Sequence, residues 1–527
     1  MYSYNIEFPK YKLRGYEQEL ALKEFERLFP NVKKQDVSKT GIILTVPNRL
    51  DEDRLKQLVF FSSIKCSNSC NGELYTYTNQ AIRENYGVQK ACNGELKGVA
   101  GARSRREIRY LSHALHEYKG RFYPQLAGAL LNCANVRPGN TVMDPFCGSG
   151  TTLVETHLRG VNAVGVDLNP VGVLISKAKI ASLLMRPSET EATLKAFRLT
   201  KDENTGWKKI CANSHALDNE YLQRWFPKEN LMKIFFLLKK ISALQGNKSK
   251  TLCLAVLSNL LREFSYQAPT DLRIRRRKDE PPVNILTSFR NTLTAYLNNL
   301  RNFQTHETAA RRRNRCHTMI YRDDIRLLKK AVVKPGSIDA VVTSPPYATA
   351  LPYIDTDRLS IVLLGYSDGC DLKHIEKSLI GAREITRKER DRLDKELEKN
   401  LANPQLPDEI VHLLHTIYTL NKESETSGFR RKNLAALLYK YFIDMDMAIR
   451  QIKRALKKNG SAFIVVGGNR TTVNGQEIQI PTDDFIALIA ESRGLSLAEK
   501  IPMTVQKSYM IHSKNSINTE SVLCLRK

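Results

Sequence analysis

The chain has 527 residues, of which 42% are hydrophobic and 26% are charged, a composition that excludes a largely disordered or membrane-embedded protein. Its length exceeds what one hydrophobic core usually organises, so we expect two or three domains, or one core with large insertions. Lys and Arg number 82 against 55 Asp and Glu, and the resulting net charge of +27 favours a polyanionic partner such as nucleic acid over a merely basic protein.

The cysteines and the start of the chain indicate a reduced, cytoplasmic protein. Ten cysteines follow no regular framework, and the polar start at Met1 lacks a signal-peptide pattern. Cys66, Cys70 and Cys92 could suggest zinc, but no fourth Cys or His stands at a finger-like spacing, so free thiols and no metal are expected. No apolar stretch approaches the roughly 20 residues of a membrane helix, which predicts a soluble protein.

Residues 1–105 are predicted to form a small α+β domain. Residues 4–8 and 41–46 have the pattern of strands, and residues 16–28 have that of an amphipathic helix. A further helix is expected from Asp51. Nothing in this segment indicates a role for it.

Residues 106–185 contain a strand, a glycine-rich turn, a helix and a second strand in close succession. The strands are predicted at 140–144 and 163–167, and the helix at 151–159. This order predicts a parallel sheet with helices on its faces. Residues 186–317 then turn helical and basic, which indicates an insertion and a candidate target-recognition region.

The sheet is expected to resume in residues 318–370, where the strand 338–343 runs directly into Ser344-Pro-Pro-Tyr347. Residues 371–430 are dominated by charge and predict a solvated helical pair as a second insertion. Residues 431–527 are expected to complete the core. Their last two strands, at 497–505 and 521–525, are predicted to close the sheet as a hairpin.

The turn after the first strand indicates a nucleoside cofactor. Gly148 and Gly150 let the backbone approach a ligand closely, and the helix that follows presents unpaired N–H groups. Asp167 ends the second strand, where its carboxylate can accept hydrogen bonds from both hydroxyls of a ribose. The Gly-x-Gly-x-x-Gly spacing of dinucleotide-binding dehydrogenases is absent from this turn.

The run Asp144-Pro-Phe-Cys-Gly-Ser-Gly-Thr-Thr152 resembles the first motif of the amino-methyltransferases, which methylate exocyclic nitrogens of DNA and RNA bases. The resemblance implies S-adenosylmethionine as cofactor and a Rossmann-like class I methyltransferase fold, an α/β fold with a mostly parallel seven-stranded sheet. It also implies that the motif binds the cofactor, with Phe146 packing on it and the glycines passing its amino-acid end. The motif residues concerned are Asp144, Pro145, Phe146, Gly148, Gly150 and Thr151.

Two further segments are similar to cofactor-binding elements of the same families. Residues 116–124 resemble the segment that precedes the first motif, which implies that Tyr118 lies over the methionine moiety, although His116 and Tyr118 could equally be loop packing. Asp324 matches the acidic element that reads the adenine amino group of the cofactor. Asp323 competes with Asp324 for this role.

The Ser344-Pro-Pro-Tyr347 motif supplies the groups that an exocyclic amino group needs. The lone pair of such a nitrogen is delocalised into the ring, and acceptors placed on its hydrogens help it to pyramidalise. Ser344 offers a hydroxyl and Pro345 a carbonyl, which Pro346 helps to hold because both φ angles are locked. Tyr347 offers a flat face on which an extruded base can stack.

Thr343-Ser-Pro-Pro-Tyr347 looks most like the DNA cytosine-N4 methyltransferases of restriction-modification systems. The resemblance implies double-stranded DNA as substrate and a cognate restriction endonuclease as a possible partner. Adenine-N6 enzymes more often carry Asp first, and adenine-N6 remains an alternative. A tRNA guanine-N2 methyltransferase, with RNA as partner, and a non-catalytic nucleic-acid-binding protein on this fold remain the other two.

The arginines of the first insertion are the candidate nucleic-acid contacts. Related DNA enzymes usually place their target-recognition region just before the catalytic strand, whereas this insertion falls between Asp167 and Asp324. If the insertion reads DNA, its arginines would contact phosphates or guanine edges, the alternative being solvated surface charge. They are Arg273, Arg275, Arg276 and Arg277.

Overall fold

The computed structural model describes residues 1–32, 36–68, 74–86, 107–198, 219–269, 271, 274–311, 316–348, 353–367, 369, 372–383, 385–402, 405–423, 432–473, 476–504 and 519–527. Within these residues no helix is both long and apolar enough to cross a membrane. Cys66 is a free thiol, whereas Cys70 and Cys92 lie outside the described residues.

The N-terminal unit is an antiparallel sheet with helices. Its elements are β1 (Tyr2–Glu7), α1 (Gly15–Leu28), β2 (Asp36–Val37), β3 (Gly41–Val46), α2 (Glu52–Leu55), β4 (Ser63–Asn68), β5 (Leu74–Tyr77) and α3 (Asn79–Tyr86). The strands take the order β2-β3-β1-β4-β5. Leu20, Ala21, Phe25 and Leu28 form the buried stripe of α1, which follows the spacing predicted for residues 16–28.

The remainder of the chain forms the main sheet and the helices around it. In chain order the elements are α4 (Pro124–Cys133), β6 (Thr141–Asp144), α5 (Thr151–His157), β7 (Asn162–Asp167), α6 (Pro170–Leu183), α7 (Pro187–Ala196), α8 (Glu220–Trp225), α9 (Lys228–Ala243), α10 (Asn247–Leu260), α11 (Ile285–Arg311), β8 (Thr318–Arg322), β9 (Ile338–Thr343), α12 (Tyr353–Leu363), α13 (Leu372–Ser378), α14 (Arg387–Ala402), α15 (Asp408–Glu423), α16 (Leu434–Ala455), β10 (Leu456–Gly467), β11 (Asn469–Val473), β12 (Gln476–Ile480), α17 (Thr482–Ser492), β13 (Ser496–Thr504) and β14 (Thr519–Arg526). Short 3₁₀ turns lie at Leu111–Ala114 and Ile325–Leu327.

The main sheet has seven strands in the order β13-β14-β10-β9-β6-β7-β8, and β14 alone runs against the others. This is the class I methyltransferase fold that the sequence predicted. The central strands β6, β7 and β9 read as nearly continuous apolar runs because helices cover both faces. The predicted terminal hairpin is β13 with β14, and β14 lies between β10 and β13.

The first insertion, residues 186–317, is helical as predicted and shares its hydrophobic core with the sheet. Side chains of α9, α10 and α11, including Ile234, Val256 and Phe289, belong to the same buried cluster as Ile175 of α6 and Ile361 of α12. The insertion therefore packs as part of the main body. The six-segment domain division remains a prediction.

The second insertion, residues 371–430, is helical but is not solvated on all sides. Leu397 of α14 and Leu414 of α15 are buried in one cluster with Phe442 of α16. Each helix of the pair has one apolar stripe that is buried, and its charged residues lie on the outer face. The prediction of a fully solvated pair was wrong because it considered only the density of charge.

The N-terminal unit packs on the face of the main sheet opposite to the one that α16 covers. Phe25 of α1 shares a buried cluster with Leu130 of α4, Val342 of β9 and Val522 of β14. The buried carboxylate of Glu24 accepts hydrogen bonds from the backbone N–H groups of residues 59 and 60 and from Asn132 of α4.

Candidate active site

One cavity of about 330 Å³ lies at the carboxyl edge of the main sheet. Parallel α/β sheets bind ligands at this edge because loops and helix N-termini converge there. The cavity is lined by Tyr118, Gly120, Arg121, Phe122, Tyr123, Leu126, Phe146, Gly148, Asp167, Asn169, Ser344, Pro345, Pro346, Tyr347, Leu379, Ile380, Val465 and Glu520.

Asp167 is held in place by the backbone of the glycine turn. One carboxylate oxygen accepts the N–H of Gly148 at 2.7 Å, and the other accepts the N–H of Asn169 at 2.8 Å. Burial raises the pKa of Asp167 to about 6. Asp167 lines the cavity, and each carboxylate oxygen can accept more than one hydrogen bond, so this carboxylate suits a ligand with two adjacent hydroxyls.

Gly148 fits where a side chain would not. Its φ is +46°, and a Cβ there would lie 3.2 Å from the ring of Tyr118. The Gly148 carbonyl accepts the hydroxyl of Ser176 at 2.7 Å, which ties the turn to α6. The turn is thus a tight backbone cradle beside Asp167, which fits a nucleoside cofactor.

Asn169 is a site residue that the sequence reasoning did not single out. Its side-chain oxygen caps α6 by accepting the N–H of Val171, as its position before Pro170 indicates. Its amide donates to Tyr118 at 3.2 Å and to Asp357 of α12 at 2.7 Å. Asn169 therefore fixes Tyr118 over the cavity and joins the cofactor end to the helix after the catalytic motif.

The two sequence motifs are joined by a direct hydrogen bond. Asp144 ends β6 and accepts the hydroxyl of Thr343, at the end of β9, at 2.6 Å, together with the N–H of Phe146 at 3.1 Å. Burial raises the pKa of Asp144 to about 6. Asp144 is not among the residues that line the cavity, so its contacts hold the motifs in register.

The predicted site residues fall into two groups. Tyr118, Phe146, Gly148 and Asp167 line the cavity together with all four residues of Ser344–Tyr347. Asp144, Pro145, Gly150, Thr151 and Asp324 do not line it. Gly150 has a φ of +76° and caps α5, of which Thr151 is the first residue. For these residues a direct contact with the cofactor stays a prediction.

Asp324 makes contacts that do not point to the cavity. Both of its carboxylate oxygens accept from the guanidinium of Arg326, which also pairs with Asp444 of α16 at 2.8 Å. Asp323 contacts the strand end that carries Asp167, since its N–H donates to the carbonyl of Asp167 at 3.2 Å. The carboxylate of Asp324 is therefore committed to Arg326, and its adenine-reading role stays a prediction.

The segment over the cavity is anchored to the first insertion. His116 is buried, and its Nε2 lies 3.1 Å from the hydroxyl of Ser258 on α10, which in turn lies 2.7 Å from that of Ser360 on α12. The N–H of Glu117 donates to Asn259 at 2.8 Å. Burial lowers the pKa of His116 to about 3, so the ring is neutral and serves packing and hydrogen bonding.

The insertion arginines are engaged in contacts within the fold. Arg276 stacks on the rings of Tyr266 and Trp225, at 4.8 and 5.9 Å from their centroids. The side chain of Arg277 is 14% exposed and pairs with Asp279 at 2.6 Å. The side chain of Arg275 is 71% exposed. Arg275 also pairs with Asp271 at 3.2 Å, and both Arg275 and Arg276 are exposed, whereas Arg273 lies outside the described residues.

Comparisons with known proteins show that this chain is similar to methyltransferases. A family model described as the RMKL-like, methyltransferase domain matches residues 114–203. The type II methyltransferase M.MvaI of Kocuria varians is 26% identical over 393 residues, which cover 72% of this chain and 80% of that protein. M.AvaI of Anabaena variabilis, also a type II methyltransferase, is 22% identical over 479 residues, or 85% of this chain and 90% of that protein.

A shorter match points to a different class of enzyme. The tRNA (guanine(10)-N2)-dimethyltransferase of Methanothermobacter thermautotrophicus is 42% identical over 52 residues, which cover 10% of this chain and 16% of that protein.

The sheet, the cavity and the long matches lead to one identification. The chain is a methyltransferase of class I fold, and its cofactor is S-adenosylmethionine.

Proposed function

We propose that this protein methylates the exocyclic N4 amino group of a flipped cytosine in double-stranded DNA, as the modification enzyme of a restriction-modification system. The observation that carries the proposal is the shared cavity, which Ser344–Tyr347 line together with Phe146, Gly148 and Asp167. Two type II methyltransferases that match over most of the chain support DNA as the substrate. The net charge of +27 suits a polyanion.

The residues at the target end would prepare the amino group. Bound S-adenosylmethionine supplies an electrophilic methyl group. The Ser344 hydroxyl and the Pro345 carbonyl accept the two amino hydrogens and direct the nitrogen lone pair out of the base plane. The ring of Tyr347 would stack on the extruded base. The N–C bond would form as the sulfur–methyl bond of the cofactor breaks and leaves a neutral thioether, and one amino proton would pass to water.

The cofactor end would hold the nucleoside. The Asp167 carboxylate accepts both ribose hydroxyls, while Tyr118 and Phe146 contribute apolar contact. The Thr343–Asp144 hydrogen bond keeps both ends at a fixed separation. A well-oriented pair of reactants removes much of the entropic barrier to transfer.

Methylation of guanine N2 in tRNA is the second candidate, because of the short match to the tRNA dimethyltransferase. The deciding experiment incubates the protein with labelled S-adenosylmethionine and either duplex DNA or bulk tRNA, followed by nucleoside analysis. We expect N4-methylcytosine from DNA. N6-methyladenine would change the base, and N2-methylguanosine from tRNA would overturn the proposal. Cofactor binding without any product would indicate a non-catalytic binding protein.

A further inference from the structure

Glu520 lies at the target end of the cavity, and no sequence motif accounts for it. It stands at the start of β14, beside Gly467 at the end of β10 and Met503 of β13. Because β14 runs against the other strands, its first residues lie at the edge where those strands end. Glu520 lines the cavity together with Tyr347 and Val465.

The surroundings of Glu520 leave its carboxyl with hydrogen-bonding capacity. The hydroxyl of Tyr347 donates to it, and Arg14, just before α1, contributes a favourable charge. Burial is the largest effect and raises the pKa of Glu520 above its ordinary value. Among the described residues, the Tyr347 hydroxyl is the side-chain donor to this carboxyl group. A carboxyl group has about four acceptor positions when ionised and gains a donor when protonated, so this one hydrogen bond uses part of its capacity.

We propose that Glu520 recognises the ring-nitrogen edge of the target base, while Ser344 and Pro345 hold its amino group. This inference rests on the proposed function. Cytosine presents its N4 amino group beside the acceptor N3, and adenine presents N6 beside the acceptor N1. In its protonated form the carboxyl group, oriented by the Tyr347 hydroxyl, donates to that ring nitrogen, whereas the ionised form would suit an N–H at that position.

The same arrangement disfavours guanine. On the Watson–Crick edge of guanine, the N2 amino group stands beside N1–H, a donor, which would meet the proton of the protonated Glu520 and leave two donors facing each other. Buried donors without acceptors are costly, and sites built on a specific hydrogen bond reject analogues that lack it. Glu520 is therefore a base-recognition residue that selects cytosine or adenine over guanine.

The test compares Glu520→Ala and Glu520→Gln with the matched control Glu499→Gln. Glu499 lies on the adjacent strand β13 and pairs with Lys23, away from the cavity. On a duplex that the wild type methylates, we expect Glu520→Ala to lower kcat about 10- to 100-fold with an unchanged Kd for S-adenosylmethionine. Glu520→Gln keeps an N–H donor and should stay within about tenfold of the wild type.

A base analogue tests the contact itself. In a duplex with 3-deazacytosine at the target, or 1-deazaadenine if adenine is the base, the acceptor nitrogen is missing. On the analogue, the wild type should lose about as much activity as Glu520→Ala loses on the natural duplex. Glu520→Ala should lose little more on the analogue, so the two fold-losses should not multiply.

Each failure has its own signature. If the wild type methylates no base, the proposed function fails. If the wild type is active and Glu520→Ala stays within twofold of it, or the two losses multiply, the role of Glu520 is overturned. Equal losses in Glu520→Ala and Glu520→Gln, with cofactor affinity and melting temperature unchanged, would also overturn it, because glutamine retains a donor.

Discussion

The cofactor end of the cavity is assembled from residues close together in the chain, whereas the target end is assembled from distant ones. Asp167, Gly148 and Asn169 belong to one βαβ unit and hold one another through backbone hydrogen bonds. At the target end, Tyr347 meets Glu520 from β14, and the carbonyl of Ala348 accepts the amide of Asn469 after β10. Changes at the first end should act on cofactor affinity, and changes at the second on turnover.

Asp167→Ala is expected to have the largest effect. It removes the acceptor for two ribose hydroxyls, at about 1.5–3 kcal/mol for each charge-assisted hydrogen bond, so the affinity for S-adenosylmethionine should fall at least about 100-fold by calorimetric titration. Asp484→Ala is the control, because Asp484 is exposed and pairs with Lys500. A loss of less than threefold in a folded variant would contradict the contrast between the two ends.

Ser344→Ala tests the other end. The variant removes one acceptor from the amino group, and we expect kcat to fall about 10- to 100-fold while the Kd for the cofactor stays within twofold. Ser337→Ala, in the turn before the same strand β9, is the control, since its hydroxyl donates to the nearby carbonyl of Lys334. A parallel loss of cofactor affinity in Ser344→Ala would contradict the assignment of cofactor binding to one end and turnover to the other.

The pH dependence of cofactor binding follows from Asp167, whose pKa is raised to about 6. The carboxylate accepts both hydroxyls when ionised, above that pH, and loses an acceptor position when protonated below it. Affinity should therefore be highest above about pH 7 and about tenfold weaker at pH 5. Asp167→Asn should bind more weakly but without this dependence, and an equally steep dependence in the Asn variant would assign it to another group.

The smallest expected effect concerns the insertion arginines. Arg276→Ala should lower the free energy of unfolding by about 1 kcal/mol, because it removes the stacking on Tyr266 and Trp225. Arg275→Ala should leave stability unchanged and weaken DNA binding, more at low salt than at high salt. The opposite pattern in melting and binding measurements would identify Arg276, and not Arg275, as the contact residue.

The contrast between the two ends also explains what the sequence could predict. A glycine turn after an apolar strand and an acid at the end of the next strand are recognisable from the local sequence. Both Gly148 and Asp167 line the cavity. Glu520 gives no such signal, because an acidic residue before an apolar strand is common, and strand order alone brings it to Tyr347. A run of arginines likewise does not reveal which of them lies against an aromatic ring, as Arg276 does.

The hydroxyl chain from His116 through Ser258 to Ser360 bears on how this enzyme could acquire a new target site. The insertion that is the candidate reader of DNA also anchors the segment over the cofactor, and it shares buried side chains with α6 and α12. It is therefore not an exchangeable cassette. Grafting the insertion of a relative should succeed only when the 113–123 segment and α12 are exchanged with it, so specificity in this architecture would diverge through coordinated change of all three.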